Sequence, residues 1–186
     1  PYMEKYLGSE IIVKNVPGAG HIIGTNELYN SKPDGLTFGT FNKGLITSQL
    51  VGLEGIKFDL TQMSWLGTPA TEPRIFVVGT NAPFQSIDDV IRGDTTLLMA
   101  AAGVGSSSYS DSLILQEILG MKNMRIINGY EGQEGELAII RGEVHGTIGS
   151  VDSMKPLLQS GDARPILVIG KERLKEYPDT PVIYEY

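Results

Sequence analysis

The chain has 186 residues, 41% of them hydrophobic and 20% charged, with a formal charge of −7 at pH 7 and no cysteine. That suits one large domain or two small lobes, and the absence of cysteine excludes disulfides, thiolate catalysis and cysteine-bound zinc. No run of Lys or Arg is dense enough to track a phosphate backbone, which argues against nucleic acid, and no apolar run approaches the ~20 residues that cross a bilayer.

Taken in order, the chain opens at Pro1-Tyr2-Met3 in what reads as the middle of a helix, with no leader pattern, so a piece of a longer protein is expected. A β-rich run at 11–14 leads into Asn15-Val16-Pro17-Gly18-Ala19-Gly20 and then a helix-like segment at 20–29. Pro17 fixes one backbone angle, while Gly18 and Gly20 permit left-handed angles and close approach of a ligand. The helix stops at Ser31-Lys32-Pro33-Asp34-Gly35. Further strands are expected at 37–40, 74–78, 96–101, 125–128, 146–148 and 166–169, with helices at 46–51, 87–91, 107–119, 134–141 and 153–159. Ser86 is placed to cap the helix that follows it, with Asp88-Asp89 in its first turn. Gly120 suits a helix C-terminus. Leu113, Leu115, Ile118 and Leu119 are expected near one face of the long helix, although Ile114 blurs the stripe. Strands alternating with helices imply an α/β fold with mainly parallel pairing.

Two glycine loops stand out. Gly103-Val104-Gly105-Ser106-Ser107-Ser108 follows a buried strand and opens a helix. Its backbone N–H groups and three hydroxyls would make a compact anion cradle. The plain alternative is a glycine turn with a serine cap. No Lys follows the glycines as in a P-loop, and the third glycine of a dinucleotide fingerprint is missing. Gly18-Ala19-Gly20-His21 is the natural opposing wall, with His21 either donating to a carboxylate or capping the helix. Asn42 and Lys43 follow the strand at 37–40; Lys43 either meets a second carboxylate or is solvated. Tyr130 and Ser150 follow later strands at the same carboxyl edge, where α/β sheets place ligands. Tyr130 offers an O–H donor or simple packing.

Catalysis is not expected. With only two histidines, His21 and His145, a histidine metal site is excluded as the leading reading, and no cofactor is implied. The Gly-x-Ser-x-Gly elbow is absent. A hydrolase built on Ser106, Ser107 or Ser108 with His145 and Asp152 stays open on sequence alone, as does a nucleotide- or phosphate-binding domain.

Several ordered motifs carry a resemblance: Asn15 with Pro17-Gly18-Ala19-Gly20 and Gly24, Pro33-Asp34-Gly35-Leu36-Thr37, Phe58-Asp59, Trp65-Leu66-Gly67, Gly103-Val104-Gly105-Ser106-Ser107, Arg141-Gly142-Glu143-Val144 and Tyr177-Pro178-Asp179-Thr180-Pro181. In order and spacing the chain resembles the periplasmic solute receptors of tripartite tricarboxylate transporters. The resemblance implies a two-lobed periplasmic-binding fold with a cleft, the first lobe (1–79 and 166–186) incomplete and the second spanning 80–165. It implies a small organic carboxylate as ligand, membrane permease subunits as partners, a periplasmic or extracellular location, and no direct membrane insertion. The ligand would sit among Gly18, Ala19, Gly20, His21, Asn42, Gly105, Ser106, Ser107, Ser108, Tyr109, Tyr130 and Ser150. A ligand-sensing module for a signalling partner would use the same cleft. Two departures stand out: Tyr109 where many members carry His, and Gly129-Tyr130-Glu131-Gly132 where many read Pro-Tyr-Lys-Gly.

Overall fold

The structure, a computed structural model, describes residues 2–69 and 71–186. Its centre is one five-stranded sheet of order β3-β2-β4-β1-β5, built from β1 (Arg74–Gly79), β2 (Leu97–Ala101), β3 (Met124–Asn128), β4 (Gly146–Ser150) and β5 (Ala163–Ile169). β2 pairs in parallel with β3 and β4. β1 runs antiparallel to both β4 and β5, so four strands point one way and β1 points against them. The expected α/β class holds, but the sheet is mixed, with two parallel and two antiparallel pairings among the described residues where the sequence predicts mainly parallel pairing.

β1 lies inside the sheet between β4 and β5, and its run Ile75-Phe76-Val77-Val78 is wholly buried, as a strand covered on both faces must be. Successive side chains go to opposite faces. Phe76 and Val78 join Leu97, Met99, Leu115 and Ile148 on one side, while Ile75 and Val77 join Ala100, Ala138, Ile139 and Val168 on the other. The helices α4 (Ile87–Arg92), α5 (Ser107–Ile118), α6 (Glu134–Ile140) and α7 (Val151–Gln159) connect these strands. Their starts follow local chemistry: Ser86 and Asp89 form a capping box on α4, Ser106 accepts from Tyr109 N on α5, and Ser150 accepts from Ser153 N on α7. Gly120, with φ of +63°, follows the end of α5. The Tyr177–Pro181 stretch returns to the sheet edge, where Val168 N donates to Pro181 O at 2.8 Å.

Residues 2–69 contain α1 (Tyr2–Leu7), which buries no residue, and α2 (Ile22–Tyr29) and α3 (Gly44–Leu50), which join a small cluster of Ile22, Leu45, Phe58 and Leu60. The expected strands at 11–14 and 37–40 do not form; both runs are irregular. Ile12 and Val13 are 87% and 81% exposed, and without a neighbouring strand an extended run has no ladder to join. The lobe boundaries implied at 79/80 and 165/166 fall at the end of β1 and inside β5. Yet β1 and β5 hydrogen-bond to each other, and β1 to β4, in this sheet, so residues 74–169 form one sheet unit.

The expected apolar stripe on α5 is corrected. Leu113 and Ile118 are exposed, and the buried positions are Ser107, Asp111, Ser112 and Leu115. The inward face tolerates polar groups because Ser107 and Asp111 find partners there, described below. Ser112 does not: among the described residues its hydroxyl is buried with no hydrogen-bond partner. Stranding a polar group costs more than a made hydrogen bond returns, and Ala is the better helix former. Ser112→Ala is therefore expected to stabilise the protein by about 1 kcal/mol, read as a higher urea midpoint with an unchanged slope.

Candidate functional site

The carboxyl edge of the sheet gathers residues from four strands. Ser106, Ser107 and Ser108 follow β2, Tyr130 follows β3, Ser150 ends β4, and Arg74, opposite Ser150 in register, begins the reversed β1. Against this edge lies the loop Gly18–His21. All four of its residues have positive φ: 119°, 48°, 60° and 79°. That is a left-handed turn closed by His21 N donating to Gly18 O at 3.2 Å. Left-handed geometry costs an L-residue roughly 1–2 kcal/mol, so Ala19 and His21 are held there by their surroundings. Such strain clusters at functional sites.

The surroundings are the second glycine loop. A β-carbon at Gly20 would lie 2.5 Å from Ser106 N and 2.7 Å from Gly105 C, and one at Gly105 would lie 3.1 Å from Ala19 O. The two loops thus meet backbone to backbone, on the two sides where the sequence predicts opposing walls. Gly20, Gly105, Ser106 and Ser107 are buried; His21 and Ala19 are exposed.

The serine hydroxyls are already engaged. Ser106 Oγ donates to Gly103 O at 2.6 Å and accepts from Tyr109 N at 3.3 Å. Ser108 Oγ lies 3.0 Å from Ser106 Oγ and accepts from Ala102 N at 3.3 Å. Ser107 Oγ donates to Asn42 Oδ1 at 2.8 Å. An anion here would therefore rely chiefly on backbone N–H groups in the first turn of α5 and on the positive end of its dipole. Tyr109 is half-buried. Tyr130 packs partly buried against the core, with its N–H on Ala101 O at 3.2 Å. Ser150 is spent as the α7 cap, and beside it Asp152 N donates to Glu72 Oε2 at 3.1 Å.

Sequence reasoning missed the charges at this edge. Asp111, buried on α5, accepts from Arg74 Nε at 2.8 Å, and Arg74 Nη2 also donates to Ile148 O at 3.1 Å. Lys43 is neither simply solvated nor aimed at an unoccupied position, because its Nζ lies 3.8 Å from Asp111 Oδ1. A signal for Arg74 existed in its place at a strand start, but an all-parallel sheet would put that start at the far edge.

The hydrolase arrangement is not assembled. His145 precedes β4 and Asp152 follows it, a strand length of roughly 16 Å apart. The His145 imidazole is instead structural: Nδ1 accepts from Leu98 N at 3.0 Å and the ring meets Phe84 edge-on at 5.5 Å. Burial lowers its pKa below the ordinary value. The unfolded chain therefore binds the proton more readily, so this contribution is complete above about pH 6.5 and is lost as pH falls toward the depressed folded value. Urea midpoints are expected to drop between about pH 7.5 and 5, with a flatter profile in His145→Gln. No cluster of His, Asp and Glu able to hold a metal occurs among the described residues, and none of their helices is long and apolar enough to cross a membrane.

Comparison with known proteins gives the family and the fold. A sequence model of the family described as "Tripartite tricarboxylate transporter family receptor" matches residues 2–186. A UPF0065 protein of Bordetella pertussis is 23% identical over 98% of this chain and 58% of its own length. Among solved structures, the periplasmic binding protein BugD is similar at a TM-score of 0.76 and 22% identity, covering 98% of this chain and 62% of that one. MatC of Rhodopseudomonas palustris, solved with bound malate, has the same TM-score and identity over 98% of this chain and 64% of its own. The chain thus spans about three fifths of the length of these relatives, and it shares the α/β fold of periplasmic binding proteins. It belongs to the tripartite tricarboxylate transporter receptor family.

Proposed function

We propose that the chain forms part of an extracytoplasmic receptor that captures a small organic carboxylate and presents it to the permease subunits of a tripartite tricarboxylate-type transporter, without catalysis. The observation that carries this reading is the family match over residues 2–186, met by a glycine-serine loop that opens α5 at the sheet's carboxyl edge. Ligand oxygens would take N–H donors from Ala19 and Gly20 and from Gly105, Ser107 and Ser108, since His21 N and Ser106 N are bonded to Gly18 O and Gly103 O, with His21, Asn42, Tyr109, Tyr130 and Ser150 around them. The malate held by MatC supports a carboxylate ligand, and the periplasmic BugD supports the location. We place the lobe division before β1 and after β5, leaving the sheet unit 74–169 as the second lobe. The backbone contact between Gly20 and the Gly105–Ser106 turn is then the closed arrangement of the walls, and a ligand that binds this arrangement better than any open one would hold it shut.

A thermal-shift screen against mono-, di- and tricarboxylates, nucleotides and inorganic phosphate tests the reading. A carboxylate at a hundredfold excess over its dissociation constant adds about 2.7 kcal/mol of stability, a rise of roughly 5–10 °C for a protein of this size. A shift produced by nucleotides or phosphate, with none from any carboxylate, would overturn the assignment.

A further inference from the structure

The two cations that reach the first turns of α5 share one carboxylate. Arg74 Nε donates to Asp111 Oδ2 at 2.8 Å, and the side chains of this pair keep only 18% and 11% exposure. Lys43, from the first segment, brings its ammonium to the other oxygen, Oδ1, at 3.8 Å. Asp111 lies on the inward face of α5 with Ser107, one helical turn or about 5.4 Å further along. Nothing in packing asks for a carboxylate at that position, and pairing at best offsets the cost of burying one. The rest of the edge is acidic as well. Glu72 accepts from Asp152 N at 3.1 Å beside Ser150, and Glu131 follows Tyr130 past the end of β3. Against these stand Lys43, Arg74 and, at the outer end past β5, Lys171 with Glu172 next to it.

Resting on the receptor reading, we infer that Asp111 is a specificity-determining residue: it takes the cations that a second ligand carboxylate would need, so the site accepts acids with one carboxylate and a neutral body and rejects di- and tricarboxylates. One carboxylate needs no cation here, because backbone N–H groups of the two glycine loops and the positive end of the α5 dipole suit an anion. A second carboxylate on a short ligand has no such donors. Placed within a helical turn of the first, it meets Lys43 and Arg74 already matched by Asp111, and a like charge set beside that carboxylate is repelled. Discrimination of this kind works against the wrong ligand and leaves the right one without added contacts. Arg74 keeps the internal carboxylate in place from within the sheet unit, and Lys43, largely exposed, screens its other side.

Isosteric ligand pairs isolate the charge. Succinate and succinamate, adipate and adipamate, and terephthalate and its monoamide differ only in whether the far end is a carboxylate or an amide. Titration calorimetry at neutral pH compares each pair on the parent and on Asp111→Asn, which keeps the side chain's shape and an acceptor for Arg74 while removing the charge. In the pair whose body fits, the parent is expected to bind the monoamide at least about tenfold more tightly than the diacid, and citrate is expected not to bind. In Asp111→Asn the diacid is expected to tighten by about tenfold or more and to match or pass the monoamide. Lys43→Met added to Asp111→Asn is expected to reverse part of that tightening and to leave the monoamide unaffected. Melting curves show that each variant is folded, and the comparison on the parent needs no variant. A parent that prefers the diacid or binds citrate, or an Asp111→Asn variant that keeps the parent's ratio, would overturn the role of Asp111 and leave the receptor reading standing. Binding of none of these acids by parent or variant would overturn the receptor reading and this role with it.

Discussion

Asp111→Ala is expected to destabilise the protein by about 3 kcal/mol, measured as a lower urea midpoint. Removing one member of a buried ion pair typically costs 3–5 kcal/mol because the remaining charge is stranded. Here the side chains of Arg74 and Asp111 retain 18% and 11% exposure, which places the effect at the lower end. Among the described residues the guanidinium keeps only the Ile148 carbonyl as a hydrogen-bond partner once the carboxylate is gone. Lys43→Ala removes a contact at 3.8 Å from a largely exposed ammonium, and such pairs are worth about 0–1 kcal/mol. The two substitutions therefore separate the anchor from its outer partner. Replacing both Arg74 and Asp111 by apolar residues is expected to recover much of the loss, since a well-packed apolar pair is often no worse than the buried ions. A double-mutant cycle with coupling under about 0.5 kcal/mol, the range of independent sites, would show that the pair does not hold the edge together.

Gly20→Ala carries the second large expectation, a loss of about 2–5 kcal/mol. It combines the left-handed penalty of roughly 1–2 kcal/mol for an L-side chain with an overpacking cost of about 1–3 kcal/mol. The overpacking is severe because the atoms met at 2.5 to 2.9 Å are the Ser106 and Gly105 backbone, which cannot swing aside as a side-chain tip can. Gly52 supplies the control. Its φ is +67° but a β-carbon there would meet nothing within 4 Å, so Gly52→Ala should cost only the conformational part, about 1 kcal/mol. Equal losses in the two variants would mean that the two glycine loops do not depend on close approach.

What was legible in the sequence was mostly what local chemistry dictates. Ser86 announces a helix start because a short hydroxyl satisfies an otherwise unpaired amide, and it does so here; a serine cap after the second glycine loop was the plain alternative, and Ser106 fills it, whereas Ser150, read as a ligand residue, caps α7. The run Ile75 to Val78 reads as a buried strand because nothing in it asks for water. Its direction was not readable, since reversal against β4 and β5 is set by chain connections far away in sequence. The runs at 11–14 and 37–40 have strand composition and no strand, because pairing needs a neighbour that the described residues do not supply. Of the candidate site, the two opposed glycine loops were visible in sequence. The Arg74–Asp111 pair was not, as two common residues 37 positions apart leave no pattern. Nor does Ala19 advertise a left-handed backbone; only its neighbours do.

The reversal of β1 has a consequence for modularity. Because it runs against β5, its first residue, Arg74, is paired with Ile169 at the last turn of the sheet. The chain thus enters and leaves the unit 74–169 at adjacent points on one edge. A module whose ends are neighbours can be lifted from one host and spliced into another, or its own order of elements rotated, without stretching the backbone. The sheet unit is in that sense an insert whose two covalent junctions, at Arg74 and Ile169, lie side by side, so exchange of whole units between relatives is geometrically permitted provided the 177–181 stretch that packs on β5 travels with it.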